Sequence, residues 1–131
     1  MKPNILCIED HSDNMMLIRR LFRPDGYNLI EAKTGVQGLS IAESQELDLV
    51  LLDINLPDID GYEIARRIRS SSKAELTQIP IIAVTANAMK GDAQKAIAAG
   101  CTLYMSKPIN IVELSEKVDA LVDQQKQRAT I

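Results

Sequence analysis

Short apolar runs alternate along the chain with longer segments in which apolar residues recur every three or four positions. A short apolar run is typical of a buried strand, and the wider spacing is typical of an amphipathic helix. The runs predict five strands, at residues 5–8, 27–32, 48–53, 79–84 and 103–105. The wider spacing predicts five helices, at residues 12–22, 35–44, 60–70, 87–99 and 110–124.

Several residues predict where these elements begin and end. Asp60 can cap the third helix, and Glu63 follows at the spacing of a capping box. Gly100 is suited to the position just after the fourth helix, and Pro80 is tolerated at the start of the fourth strand. The last residues, 125–131, are polar, and we expect them to form a frayed tail behind a domain of residues 1–124.

Strands that alternate with helices predict an α/β fold, a doubly wound parallel sheet with helices on both faces. The crossovers between parallel strands are expected to be right-handed. In open sheets of this kind the ligand binds beyond the carboxyl ends of the strands, where the strand order reverses. Chemistry is therefore to be sought at the residues that follow each strand.

Those residues are polar or charged at four of the five strands. Glu9 and Asp10 follow the first strand, and Asp53 ends the third. Thr85-Ala86 ends the fourth strand, and Lys107-Pro108 comes after the fifth. Because the strands are expected to be parallel, these side chains should meet at one edge of the sheet.

Three converging carboxylates repel one another unless a cation joins them. Mg²⁺ prefers one or two carboxylates together with water and phosphate oxygens. A carboxylate can also attack phosphorus and become an aspartyl phosphate, whose oxygens then need positive charge and hydrogen-bond donors. Lys107 and Thr85 supply one of each. The strand ends therefore predict a phosphoryl-transfer site that uses Mg²⁺.

Composition narrows the class of protein further. The 131 residues suit one domain, 46% of them are apolar, and the formal charge of −3 comes with no basic cluster typical of nucleic-acid binding. We find no apolar run long enough to span a membrane and no signal peptide. Cys7 and Cys101 show no metal or redox spacing. These features favour a cytoplasmic protein that binds neither nucleic acid nor membrane.

Four segments, in order and at the strand ends, resemble the receiver domain of two-component response regulators. They are Glu9-Asp10, LLDINLPDIDG, IIAVTANAM and the stretch from AAG to YMSKPI. The sequences of these segments are most similar to those of stand-alone receivers and of the receivers of hybrid histidine kinases. The resemblance implies a flavodoxin-like strand order of 2-1-3-4-5 and a phosphorelay function with Mg²⁺ as the cofactor.

The resemblance also implies a role for each site residue. Asp53 would be the phosphoacceptor, with Mg²⁺ held by Asp53, by Asp10 directly, by Glu9 through water and by the backbone carbonyl of Asn55. Thr85 and Lys107 would contact the phosphoryl group. The residues expected next to the phosphate are Ala86, Asn87 and Pro108, and the Lys107–Pro108 peptide is expected to be cis.

The resemblance further implies a switch. Thr85 would move toward the phosphate, and Tyr104 would turn into the space that Thr85 leaves, which would repack the face made by the fourth helix, fifth strand and fifth helix. A histidine kinase or histidine phosphotransfer domain would be the phosphodonor, and a protein target would read the switch. The chain would catalyse its own phosphorylation and dephosphorylation without being a turnover enzyme.

Three other functions fit the sequence less well. A haloacid-dehalogenase-like phosphatase needs a second acid two residues after its nucleophile, where this chain has Asn55. A flavodoxin-like flavin carrier needs a phosphate-binding loop rich in Ser, Thr or Gly after the first strand, where this chain has EDHSDN, whose negative charge would repel a flavin phosphate. A pseudo-receiver that acts only as an interaction module lacks the acceptor or its metal ligands, whereas this chain has both. His11 lies beside the acids, but we assign it no metal or phosphotransfer role, because it is a loop position and receivers take the phosphoryl group on Asp.

Overall fold

The computed structural model describes residues 2–24, 26–86 and 91–129. Five strands run through this part of the chain: β1 Asn4–Ile8, β2 Asn28–Ala32, β3 Leu49–Asp53, β4 Ile81–Thr85 and β5 Leu103–Ser106. Five α-helices alternate with them: α1 Ser12–Phe22, α2 Gly35–Ser44, α3 Gly61–Arg69, α4 Asp92–Ala98 and α5 Ile111–Ala129. A short 3-10 helix that the sequence did not predict, Ala74–Thr77, lies between α3 and β4.

The strands form one parallel sheet in the order β2-β1-β3-β4-β5, which confirms the predicted fold class and strand order. β3 lies at the centre, and all five of its residues are buried. A strand covered on both faces needs apolar side chains at every position, not at alternate ones. This explains the unbroken apolar run from Leu49 to Leu52 in the sequence.

Alternate residues of each strand enter two separate clusters of apolar side chains. Leu6 and Leu52 belong to a cluster that also contains core residues of α2, α3 and α4. Cys7 and Leu51 belong to the other cluster, with core residues of α1 and α5. Successive side chains of a strand point to opposite faces, so this division places α1 and α5 on one face and α2, α3 and α4 on the other.

Two element boundaries differ clearly from the prediction, the start of β4 and the end of α5. β4 begins at Ile81 and not at residue 79, because Pro80 has no N–H to donate to a neighbouring strand. α5 continues to Ala129 where we had predicted a frayed tail after residue 124. The segment after Leu121 contains no Gly or Pro, and its Gln, Lys, Arg and Ala residues are good helix formers.

The predicted helix ends are partly correct. Asp60 caps α3 by accepting a hydrogen bond from the Tyr62 N–H at 2.8 Å, but Glu63 bonds to Arg66 and Arg67 and does not complete a capping box. Gly100, with φ of +103°, follows α4 as predicted. The first residues of the predicted fourth helix, 87–90, lie outside the described residues, and the described helix begins at Asp92.

Candidate functional site

The strand register brings the predicted acids together at the carboxyl edge of the sheet. Ile8 of β1 pairs with Leu52 of β3, so that Glu9 and Asp53 come next on adjacent strands. On the other side of β3, Asp53 pairs with Val84, and Thr85 follows. Glu9, Asp53 and Thr85 are at most 3% exposed, and they are the only buried polar or charged residues in the described part of the chain.

Lys107 supplies positive charge to this edge. Its backbone N–H donates to the Thr85 carbonyl oxygen at 2.7 Å, which fixes the residue beside the end of β4. Its Nζ lies 3.4 Å from Asp53 Oδ1 and 3.4 Å from Glu9 Oε1, and the side chain is only 13% exposed. One ammonium group therefore lies between two buried carboxylates and compensates part of their charge.

The compensation is incomplete at Asp53. Burial raises the pKa of the Asp53 carboxyl above its ordinary value, and the neighbouring Glu9 raises it further. The N–H of Asn55, which donates to Asp53 Oδ1 at 2.9 Å, and the charge of Lys107 act in the opposite direction. Carboxyl groups with perturbed pKa values in a cleft are common at functional sites. A cation that binds beside Asp53 would stabilise its ionised form.

Two carboxylate oxygens of the cluster accept no hydrogen bond from any described residue, although both are buried. They are Asp10 Oδ1 and Asp53 Oδ2. Each of the four residues Glu9, Asp10, His11 and Asp53 offers a ligand atom, and these atoms lie within 4.8 Å of one another. Carboxylate oxygens at this separation fit a hard divalent cation such as Mg²⁺.

His11 lies beside the acids, as its place in the sequence indicates. Its Nδ1 is 3.2 Å from Asp10 Oδ1 and 3.4 Å from Glu9 Oε2, and its backbone N–H donates to Glu9 Oε2 at 3.1 Å. The imidazole is largely exposed, however, and it belongs to the rim of the cluster.

The side chain of Asn55 contacts the end of β4. Thr85 Oγ1 donates to Asn55 Oδ1 at 3.3 Å, and the backbone N–H of Ala86 donates to the same oxygen at 3.1 Å. The sequence placed Asn55 near the site but gave no indication of these contacts, because the residues are about 30 positions apart and meet only through the pairing of β3 with β4.

The loop between β3 and α3 is fixed at both ends and at its tip. The Gly61 N–H donates to the Ile54 carbonyl oxygen at 3.1 Å, and a Cβ at Gly61 would lie 2.5 Å from Ile54 Cα, so only glycine fits there. At the tip, the carboxylate of Asp58 accepts hydrogen bonds from the N–H groups of Gly35 and Val36 at 2.9 and 3.0 Å. Asp58 thus joins the loop to the first turn of α2, a contact that the sequence interpretation missed.

The remaining predicted residues lie around this centre. The Lys107–Pro108 peptide bond is cis, as the resemblance implied. Tyr104 is half-buried on β5 and packs against the cluster on the α2–α4 face, and burial, followed by the charge of Asp92, raises the pKa of its hydroxyl. Asn87 lies outside the described residues. The roles assigned to individual residues stay predictions.

None of the helices in the described part of the chain is both long and apolar enough to cross a bilayer.

Known proteins with the same arrangement were found by sequence and by structure. The family model of the response regulator receiver domain matches residues 5–119. The polar-differentiation response regulator DivK of Brucella ovis is 38% identical over 118 residues, which cover 90% of this chain and 94% of DivK.

Two solved structures are similar over almost their whole length. The first is the receiver domain of the sensor histidine kinase PA1611 from Pseudomonas aeruginosa, which has a magnesium ion coordinated in its active-site cleft. It superposes with a TM-score of 0.84 at 34% identity, and the match covers 94% of this chain and 99% of that one. The receiver domain of Ssk1 from Saccharomyces cerevisiae, solved with the histidine phosphotransfer protein Ypd1, is similar at a TM-score of 0.86 and 30% identity, with 95% and 91% covered.

The family model covers most of the chain, and the two solved structures share its fold over almost their whole length. The acids, hydroxyl and lysine that the sequence predicted at the strand ends meet in one cleft of that fold. The chain therefore belongs to the family of response regulator receiver domains of two-component signalling.

Proposed function

We propose that this receiver accepts a phosphoryl group on Asp53 from a phosphohistidine donor in a two-component phosphorelay. The observation that carries the proposal is the state of Asp53: a buried carboxylate with Lys107 at 3.4 Å on one oxygen and no hydrogen bond from the described residues on the other. Such a carboxylate has an electron pair available to attack phosphorus, and the Lys107 ammonium group lies beside it to compensate the negative charge of the incoming phosphoryl group.

The chemical step is an exchange at phosphorus. Asp53 Oδ2 attacks the phosphorus atom, the bond from phosphorus to the donor nitrogen breaks, and its electron pair stays on the donor imidazole. Asp10 directly, Glu9 through water, Asp53 and the Asn55 carbonyl would hold Mg²⁺. Asp10 Oδ1, which is buried, accepts no hydrogen bond from the described residues and lies near only the exposed imidazole of His11, supports this donor set. When bound, the ion neutralises charge on the phosphoryl oxygens.

The other site residues bind the transferred group. Lys107 exchanges its contact with Asp53 for one with a phosphoryl oxygen, and its short distance to both acids supports this role. Thr85 and the Ala86 N–H donate hydrogen bonds to a second oxygen. Ala86 leaves room for the phosphoryl group, Pro108 sets the direction of Lys107, and Asn87 flanks the path of the attacking water in dephosphorylation.

Phosphorylation then switches the surface around α4. The added charge draws Thr85 toward the phosphoryl group, and Tyr104 turns into the space beside β4. The half-buried position of Tyr104, one strand away from Thr85, supports this path. The face made by α4, β5 and α5 repacks, and its affinity for a protein target changes.

The partners are proteins. The yeast complex of a receiver with a histidine phosphotransfer protein supports a phosphodonor of that kind or a histidine kinase. Receivers are not classical enzymes, and we propose that this chain catalyses only its own phosphorylation and dephosphorylation, in the cytoplasm and without direct contact with nucleic acid.

The direct test is phosphorylation by acetyl phosphate, read promptly by intact mass. We expect wild-type protein to gain one phosphoryl group in the presence of Mg²⁺ and none after chelation, and Asp53→Asn to gain none in either condition. A folded wild-type protein that binds Mg²⁺ but gains no mass, from acetyl phosphate or from a panel of phosphorylated histidine kinases, would contradict the proposal and favour a pure interaction module.

The switch has its own test, on the phosphorylated protein. Tyr104→Ala should still accept the phosphoryl group but lose the change in target affinity, whereas Tyr104→Phe, which keeps the ring, should retain most of it. A Tyr104→Ala protein that switches normally would exclude this path.

A further inference from the structure

We infer that the side-chain amide oxygen of Asn55 occupies the phosphoryl-oxygen position of the unphosphorylated site, and that Asn55 thereby sets the affinity of this receiver for the phosphoryl group. The inference rests on the proposed function and adds to it a competitor inside the chain. It is carried by two hydrogen bonds that converge on one atom of Asn55.

The first step is the identity of that atom. The backbone N–H of Ala86 can only donate a hydrogen bond, so the atom that faces it at 3.1 Å must be the amide oxygen and not the amide nitrogen. The Thr85 hydroxyl lies 3.3 Å from the same oxygen. The orientation of the amide is therefore fixed by its neighbours.

The second step is the identity of the donors. The Thr85 hydroxyl and the Ala86 N–H are the two groups that the proposed function assigns to a phosphoryl oxygen. In the unphosphorylated protein both are directed at Asn55 Oδ1. A phosphoryl group that arrives on Asp53 must displace this oxygen before it can use either donor.

The third step is the balance between the two occupants. An anionic phosphoryl oxygen forms charge-assisted hydrogen bonds that are roughly twice as strong as those of a neutral amide. The phosphoryl group therefore displaces Asn55, but it does so against the bonds that Asn55 loses. Asn55 is exposed, so its amide can turn into water after displacement, while its backbone N–H still donates to Asp53 Oδ1.

The Asn55 amide therefore competes with the phosphoryl group, and a substitution at this position removes the competitor. Without the amide, a phosphoryl mimic no longer has to break the two bonds to Asn55 Oδ1 and should bind more tightly by roughly three- to tenfold, the factor that one net neutral hydrogen bond represents. The proposed metal ligand at this position is the backbone carbonyl, which every variant retains, so each variant can be compared with wild type at a Mg²⁺ concentration that saturates it.

The test compares Asn55→Ala and the isosteric Asn55→Leu with wild type, with beryllofluoride as the phosphoryl mimic at saturating Mg²⁺. Beryllofluoride is measured at equilibrium, so that a change in the water path, which alters dephosphorylation, does not enter the result. The Ala86 amide signal in ¹⁵N NMR spectra is followed in the free proteins, because loss of its acceptor should shift it before any ligand is added.

The expected result is tighter beryllofluoride binding by both variants at saturating Mg²⁺ and a shifted Ala86 signal. Beryllofluoride binding that is unchanged or weaker in both variants, at saturating Mg²⁺, would overturn the inference and leave the proposed function intact. If wild-type protein binds no beryllofluoride and accepts no phosphoryl group, the proposed function fails with it.

Discussion

At the scale of one residue, the burial of the Asp53 carboxylate builds the site but lowers the stability of the folded protein. Its carboxylate is 2% exposed, and burial raises its pKa above the ordinary value of 3.8. The ionised form is therefore less favourable in the folded protein than in the unfolded chain. Lys107 and the Asn55 N–H reduce this cost, but they do not remove it.

We therefore expect Asp53→Asn to raise the urea midpoint at pH 7 without Mg²⁺, because the amide carries no buried charge. In the unfolded chain Asp53 ionises near its ordinary pKa of 3.8, whereas in the folded protein its pKa is higher. The wild-type protein therefore loses stability relative to Asp53→Asn as the pH rises above 3.8. The gain should thus shrink as the pH falls toward that value. Urea unfolding at several pH values measures it.

The control for this comparison is Asp123→Asn, at an exposed position of α5. It should leave the urea midpoint nearly unchanged. A loss of stability in Asp53→Asn at pH 7 would mean that the contact with Lys107 outweighs the burial of charge.

At the scale of elements, α1 is joined to β2 by a two-pronged ion pair. Arg19 donates to both carboxylate oxygens of Glu31 at 2.6 Å, and Arg23 adds a third contact at 3.1 Å. The hydrogen bond from Arg19 holds the pKa of Glu31 below its ordinary value of 4.5. This pair fixes the end of α1 that lies away from the site.

Glu31→Gln should lower the urea midpoint at pH 7. Because the pKa of Glu31 is depressed in the fold, its stabilising effect is complete above pH 4.5 and is lost as the pH falls below that value. The difference between variant and wild type should therefore fade in acid. Glu116→Gln, an exposed change on α5, is the control and should show no such pH dependence.

Asp58 joins the loop between β3 and α3 to the first turn of α2. Its carboxylate satisfies the first two N–H groups of α2, while Thr34 accepts the hydrogen bond from Gln37. These bonds hold the loop that carries the Asn55 carbonyl. Because this loop is tied down at its tip, the geometry of the proposed metal site depends on a residue that does not contact the ion.

Asp58→Ala should weaken Mg²⁺ binding roughly tenfold, the lower end of the effect of losing a supporting contact behind a metal ligand. Asp58→Asn retains one acceptor oxygen and should recover much of the affinity. Calorimetric titration with Mg²⁺ measures both variants. Equal affinities in wild type and Asp58→Ala would show that the loop keeps its shape without this contact.

At the scale of the whole molecule, two apolar clusters on opposite faces of one sheet hold all five helices. The last buried residue of α5 is Val122, and the side chains described after it, up to residue 127, are exposed or half-exposed. We therefore propose that residues 1–124 form the receiver and that residues 125–131 are a polar tail. The match of the family model to residues 5–119 supports this boundary.

Deletion of residues 125–131 should leave the unfolding midpoint and the rate of phosphorylation by acetyl phosphate nearly unchanged. Deletion from Leu121 onward also removes Val122 from the core and should lower the midpoint clearly. Thermal unfolding of both proteins measures the difference. A large loss of stability in the shorter deletion would place the domain boundary beyond residue 124.

The sequence alone determined the fold and the contents of the site. The alternation of apolar runs with helical spacing is a local property, and five such repeats leave few ways to bury every apolar face. Parallel strands end at one edge, so the positions of Glu9, Asp53, Thr85 and Lys107 in the chain were enough to place them in one cleft.

Only the tertiary structure decided which partner each polar group has. Glu63 had a local partner in the capping box, yet it bonds to arginines one turn away. Asp58 reaches α2 and the Asn55 amide reaches the end of β4, contacts that span 22 to 31 residues of chain. A hydrogen bond requires two atoms to meet within a few tenths of an ångström, and that accuracy comes from the packing of distant elements and not from the pattern of residues along the chain.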